Sequence, residues 1–98
     1  MPVAALTVEL HLPLVHSLKE KRAVLKPIIE GAHRRYRVAS AELDHQDTWQ
    51  RTTLGFAAVA STESHVEEVL AAVERFVWSF PEVDVLDATR TWLEVDAR

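Results

Sequence analysis

Two short stretches concentrate the side chains able to do chemistry in this 98-residue chain: His16-Ser17-Leu18-Lys19-Glu20-Lys21-Arg22 and Asp44-His45-Gln46-Asp47-Thr48-Trp49-Gln50-Arg51. Lys19, Lys21, Arg22 and Arg51 could together hold an anion such as phosphate, helped by the partial positive charge of a helix N-terminus. The same residues admit a structural reading, in which Asp44 and Asp47 pair with those cations and clasp one segment to the other. His16, Ser17, Gln46, Trp49 and Gln50 complete the polar cluster in either case, with Trp49 offering an aromatic surface for stacking.

Other chemistry finds less support. Glu9 and His11 share a strand face and His45 lies between Asp44 and Asp47, but the five histidines show no His-x-x-x-His spacing or other compact ligand pattern. No metal and no cofactor is expected. A Glu9 and His11 pair could move protons, yet no nucleophile motif or glycine-rich phosphate loop accompanies it, and the chain has two glycines in all. With no cysteine, disulfides, thiolate metal sites and thiol catalysis are excluded. The preferred reading is non-catalytic.

The elements that must position these clusters can be read from periodicity. Val3 to Leu12 alternates, with Leu6, Val8, Leu10 and Leu12 on one face, as a half-buried strand requires. After Pro13, Ser17 and Glu20 form a capping box that opens a helix. Leu18, Leu25, Ile29, Ala32 and Tyr36 carry one apolar side of it to about residue 36, with Ile28 at the flank. Pro27 inside it predicts a bend near Ala23. Val38 to Leu43 and Leu54 to Ala60 read as strands joined by the polar loop, a hairpin pattern. Ser64 and Glu67 offer a second capping box before the stripe Val66, Val69, Leu70, Val73, Phe76, Val77 and Phe80. Pro81 ends that helix, and Val83 to Val95 supplies a last strand.

The order βαββαβ, with two helices amphipathic on one side only, predicts an α+β ferredoxin-like two-layer sandwich. Its antiparallel sheet would run in the order 4-1-3-2, with both helices on one face and the other open. Residues 1–98 form a single domain on this reading; 48% apolar and 27% charged residues are ordinary for such a domain. Both polar clusters would then emerge at the same end of the sheet.

Charge is unevenly spread. The net charge is −4, yet Lys19 to Arg37 holds seven basic residues and two acids, a local +5. Lys19, Arg22, Lys26, His33 and Arg37 fall on one side of the first helix, interrupted by Glu30, with Arg34 and Arg35 beside them. Such a stripe can track phosphates, although charged helix faces are more often merely solvated. The RNA-recognition motif shares the expected topology and stacks bases on sheet aromatics. Here Gly55-Phe56-Ala57-Ala58-Val59 imitates part of its third-strand signature, but Ala58 stands at an aromatic position and Thr7 at the other. Any RNA must therefore meet the basic helix and the hairpin edge instead.

The two polar segments, the small-residue strand at Leu54-Gly55 and the helix entry from Ser61 to His65-Val66 resemble the YlxP-like family of bacterial proteins, domain-of-unknown-function family 503. The likeness runs over nearly the whole chain. It implies a ferredoxin-like fold and no particular reaction, because that family has no established activity or agreed catalytic residues. Family genes often sit among those for transcription elongation, translation initiation and ribosome maturation, which implies an RNA or ribosome context.

The sequence-based expectation is a cytoplasmic protein that binds RNA or a ribonucleoprotein through Lys19, Lys21, Arg22, Lys26, Arg34, Arg35, Arg37 and Arg51. The first alternative is a dimeric ligand-sensing or protein-interaction module. Short residues such as Ala5, Thr7 and Ala57 would leave the open sheet flat enough for a homodimer, and Trp78, outward on the second helix, is a candidate partner contact. The second alternative is a small enzyme with its site on the open sheet face. No membrane span is expected, because no apolar run is long enough and the apolar N-terminal stretch carries Glu9 and His11.

Overall fold

A computed structural model describes residues 1–93. Its elements are β1 (Val3–His11), α1 (Leu18–Tyr36), β2 (Ala39–Asp44), β3 (Arg51–Val59), α2 (Glu63–Trp78) and β4 (Asp84–Leu93). The four strands form one sheet in the order β2-β3-β1-β4, every adjacent pair antiparallel, which is the expected 4-1-3-2 arrangement. The last two residues of the strand expected to end at Val95 lie outside the described residues.

Alternation in β1 is complete: Ala4, Leu6, Val8 and Leu10 are buried beneath the helices, while Val3, Ala5, Thr7, Glu9 and His11 line the opposite face. Register carries that parity across the sheet. Leu6 pairs with Phe56 and Val8 with Leu54 on the helix side, and Ala5 with Ala57 and Thr7 with Gly55 on the open side. Ala58 pairs with Ala4 and is buried under the helices, so it does not occupy an open-face position as expected. The conclusion drawn from it stands for a different reason: at the middle of the two central strands the open face carries Ala5, Thr7, Gly55 and Ala57, and none of its residues on these strands is Phe, Tyr or Trp.

Ser17 caps α1, its Oγ accepting the Glu20 N–H at 3.0 Å. The Glu20 carboxylate reaches back one residue further than a capping box requires, accepting the His16 N–H at 2.8 Å. The helix continues past exposed Pro27 to Tyr36 and stops at Arg37, whose φ of 56° places it in the left-handed region. Its buried residues are Lys21, Leu25, Ile28 and Ala32. The inward side is thus turned from the expected Leu18-Leu25-Ile29 stripe, because a lysine holds one of its central positions.

In α2 the expected stripe is buried at Val66, Leu70, Val73 and Val77. Its cap is Thr62, whose Oγ1 accepts the His65 N–H at 3.2 Å; Ser64, the expected cap, is already inside the helix. The helices approach closely at Gly31, where a Cβ would stand 2.6 Å from Cζ of Phe76. That ring also meets Tyr36 and Phe80 edge-to-face, at 5.7 and 5.0 Å between centroids. Among the described residues, no helix is long and apolar enough to cross a membrane.

Candidate nucleic-acid interface

The two polar clusters do meet. β1 ends at His11, directly opposite Arg51, so the segment entering α1 and the loop joining β2 to β3 leave the same end of the sheet. Gln50 ties them: its amide donates to the Pro13 and Val15 carbonyls at 3.3 and 3.1 Å, and its own carbonyl accepts the Leu12 N–H at 3.0 Å.

The second tie is Lys21. Expected as a surface cation, it is 2% exposed, and its Nζ lies 2.8 Å from Glu42 Oε2 while also donating to the His45 carbonyl. Glu42 Oε2 accepts in addition from Thr52 Oγ1 at 2.6 Å. A buried ammonium survives only with such partners, since desolvation otherwise costs several kcal/mol. Lys21 is therefore removed from the anion-facing set and fastens α1 to the hairpin. His45, at φ 65°, adopts the left-handed turn conformation that presents its carbonyl to both Lys21 and the Thr48 N–H.

The expected acids play different parts. Asp44 accepts its neighbour His45's N–H at 2.8 Å, and Asp47 is exposed; among the described residues neither lies within 4.0 Å of a basic side chain. The clasp exists, but Glu42 and Gln50 make it.

Arg51 is likewise not beside Lys19 and Arg22. β3 begins at Arg51, three residues before the expected strand start, and its pairing with His11 puts it on the open face, away from the helices. There it stands 3.5 Å from Glu9 Oε2. Glu9 Oε1 accepts from Thr53 Oγ1 at 2.7 Å, and His45 Nε2 approaches Oε2 at 3.9 Å. His11 turns instead to Asp84, 3.2 Å away, so the suggested Glu9 and His11 proton pair is not assembled. Among the described residues no group of three or more His, Asp or Glu side chains is placed to hold a metal ion.

What remains of the basic pole lies on α1. Lys19, Arg22 and Lys26 are exposed on its outward side, and among the described residues no carboxylate lies within 4.0 Å of them. Arg34 reaches Glu30 only at 4.0 Å. His33 closes the helix end through Nδ1 against the Val38 carbonyl at 2.9 Å. Two expected members leave the stripe: Arg35 swings toward α2, its guanidinium 5.3 Å from the Phe76 ring centre, and Arg37 falls outside the helical period at its left-handed cap.

Beside the stripe, a groove of about 500 Å³ separates α1 from the β2 end of the hairpin. Leu18, Leu25 and Ile29 give it apolar walls, Arg22 and Lys26 stand on the helix side, and Gln46 and Asp47 on the loop side. Trp49 is half-exposed on the same loop. Trp78, 59% exposed, stands at the far end of α2 and joins neither cluster.

The chain is 45% identical over 76 residues to the uncharacterized protein YlxP of Bacillus subtilis (strain 168), covering 78% of this chain and 83% of that one. Its fold is similar to the solution NMR structure of a de novo designed protein with ferredoxin fold, at a TM-score of 0.54 and 16% identity, covering all of this chain and 91% of the design. The family model described as "Protein of unknown function (DUF503)" matches residues 3–90, and the chain belongs to that family.

Proposed function

We propose that this protein binds RNA, free or within a ribonucleoprotein, through the outward side of α1. The observation that carries the reading is the row Lys19, Arg22 and Lys26, exposed and without carboxylate partners among the described residues, on a molecule of net charge −4. Charges spaced by about one helical turn, roughly 5.4 Å, can track successive phosphates. Arg34 stands two turns beyond Lys26, with Glu30 between them. Binding of this kind is salt-sensitive and, from the stripe alone, indifferent to sequence. The test is titration of the protein with structured ribosomal RNA and small ribosomal subunits across a salt series. Saturable binding with a log–log salt slope of about −2 to −3 for three phosphates, flattened in the K19A/R22A/K26A variant, is the expected result. Absence of binding at low salt would remove the reading.

A second reading rests on the opposite side of the molecule. Leu43, Val59 and Leu93 are exposed around the small residues Ala5, Thr7 and Ala57 on the open sheet face. A second copy fits such a face, because a two-fold axis sets one flat surface against its equal. Dimerisation there leaves the α1 stripe free, so the two readings are compatible.

A further inference from the structure

We infer that the groove beside the cationic stripe takes one unpaired nucleotide of an RNA strand, an inference that rests on the RNA reading above and gives it a ligand-specific site. Three observations converge. Arg22 and Lys26, the two stripe cations that border the groove, lack carboxylate partners among the described residues and can hold a phosphate. Leu18 and Ile29, both half-buried, give the groove an apolar wall backed by buried Leu25, suited to the face of a planar ring and unsuited to a hydrated ion alone. Asp47, across the groove, is exposed with no basic partner among the described residues, while nearby Glu42 is already occupied by Lys21 and Thr52. Glu30 also lines the groove, but on the α1 side with Arg22 and Lys26, so Asp47 is the free carboxylate on the loop side, opposite the phosphate-holding cations.

A ligand matching that sequence of surfaces has an anion at one end, a flat weakly polar body, and an N–H donor at the other. A nucleotide whose base carries an exocyclic amine meets all three requirements. The volume, about 500 Å³, lies within the range of about 300–1,000 Å³ that small-ligand clefts occupy. In an A-form duplex the base is stacked and its amino edge paired, so a duplex can offer only its backbone. Cytosine presents the N4 amine to Asp47, whereas uracil at the same place presents the O4 acceptor and meets repulsion between two acceptors. The buried Lys21–Glu42 pair holds the groove's two walls in register, so the site is formed before the strand arrives.

The test compares oligocytidine, oligouridine and a duplex of equal length on the purified full chain. Single-stranded oligocytidine is expected to bind about tenfold tighter than the duplex and about fivefold tighter than oligouridine, the scale of one stacked base and one read edge. Asp47→Asn should erase the cytidine-over-uridine preference, lowering oligocytidine affinity and relieving the repulsion that weakens oligouridine, and Ile29→Trp, which fills the groove, should bring single strands down to the duplex level. Lys19→Ala, on the stripe but outside the groove, should lower all three affinities alike. Equal affinity for all three nucleic acids in the wild type, with Lys19→Ala weakening each, would overturn the groove site and leave the RNA reading intact. If no RNA binds, NMR titration with cytidine and uridine monophosphates decides the groove separately. Amide shifts at Ile29, Glu42 and Gln46 with the cytidine nucleotide would uphold the nucleotide site while removing the RNA reading, and their absence would remove both.

Discussion

Lys21 Nζ and Glu42 Oε2 stand 2.8 Å apart beneath the first helix, and this pair joins α1 to the edge strand β2. The lysine is 2% exposed and the carboxylate 22%. Removing either charge alone leaves the other stranded, whereas removing both leaves only a packing problem. Glu42→Ala strands a fully buried ammonium and should destabilise the fold by about 3 kcal/mol, the usual scale for a broken buried pair, whereas Lys21→Met strands a carboxylate that is partly exposed and keeps Thr52 as a donor, and should cost less. A double-mutant cycle in urea should return a coupling of at least about 1 kcal/mol. Additive single effects would show that the pair contributes nothing beyond its parts.

That lysine also marks the limit of what the sequence makes legible. Strand alternation in β1 and the apolar stripe of α2 dictate their own burial, so topology followed from them. On α1, a polar reading of Lys21 turns the expected inward side toward Leu18 and Ile29 and away from Lys21 and Ile28, while Leu25 and Ala32 belong to both. A signal was present: Lys21 lies one turn before Leu25, and Glu42 has the same parity in β2 as Ser40, which pairs with core residue Phe56. Two opposite charges at two inward positions predict each other. A strand start at Leu54 leaves Arg51 in a loop, where parity does not apply, whereas the strand begins at Arg51 itself. The meeting of the two polar clusters was readable from topology; which acid takes which cation was not, since Asp47 and Glu42 differ only in strand placement.

Gln50 offers a smaller test of the same junction. Its amide serves two carbonyls, those of Pro13 and Val15, in the segment that leads into α1. Gln50→Ala returns both acceptors to solvent or leaves them unpaired, at a cost of about 1–2 kcal/mol. Amide exchange should quicken first at Leu12 and Val15, which close backbone bonds in that segment. Uniform quickening across the sheet would mean that the clasp is no weaker than the rest of the fold.

Gly31 reports on the helix pair. A Cβ there would sit 2.6 Å from Phe76 Cζ, and that ring is flanked by Tyr36 and Phe80 and covered by Arg35. Gly31→Val must displace the ring or part the helices, an overpacking change of about 1–3 kcal/mol. Helix propensity works the other way, favouring alanine over glycine by about 1 kcal/mol, so Gly31→Ala should be much less harmful than Gly31→Val. Thermal melts of the two variants with Phe76→Leu as background should show the penalty shrinking once the ring is gone.

Leu43 occupies the bulge where β2 slips against β3, and its side chain lies over Gly55, where a Cβ would stand 2.6 Å from Cδ1. Leu43 remains about half exposed there, as do Val59 and Leu93. If two copies meet through this face, a charge on it must be buried unpaired in the dimer while costing little in the monomer. Val59→Glu should thus convert a dimer to a monomer in sedimentation velocity with little change in the far-ultraviolet circular dichroism. Because the stripe on α1 lies across the sheet from Val59, the same variant should keep its RNA affinity per protomer. A wild-type protein that sediments as a monomer at high concentration would reject the dimer, and the small residues around Gly55 would then serve only to seat Leu43.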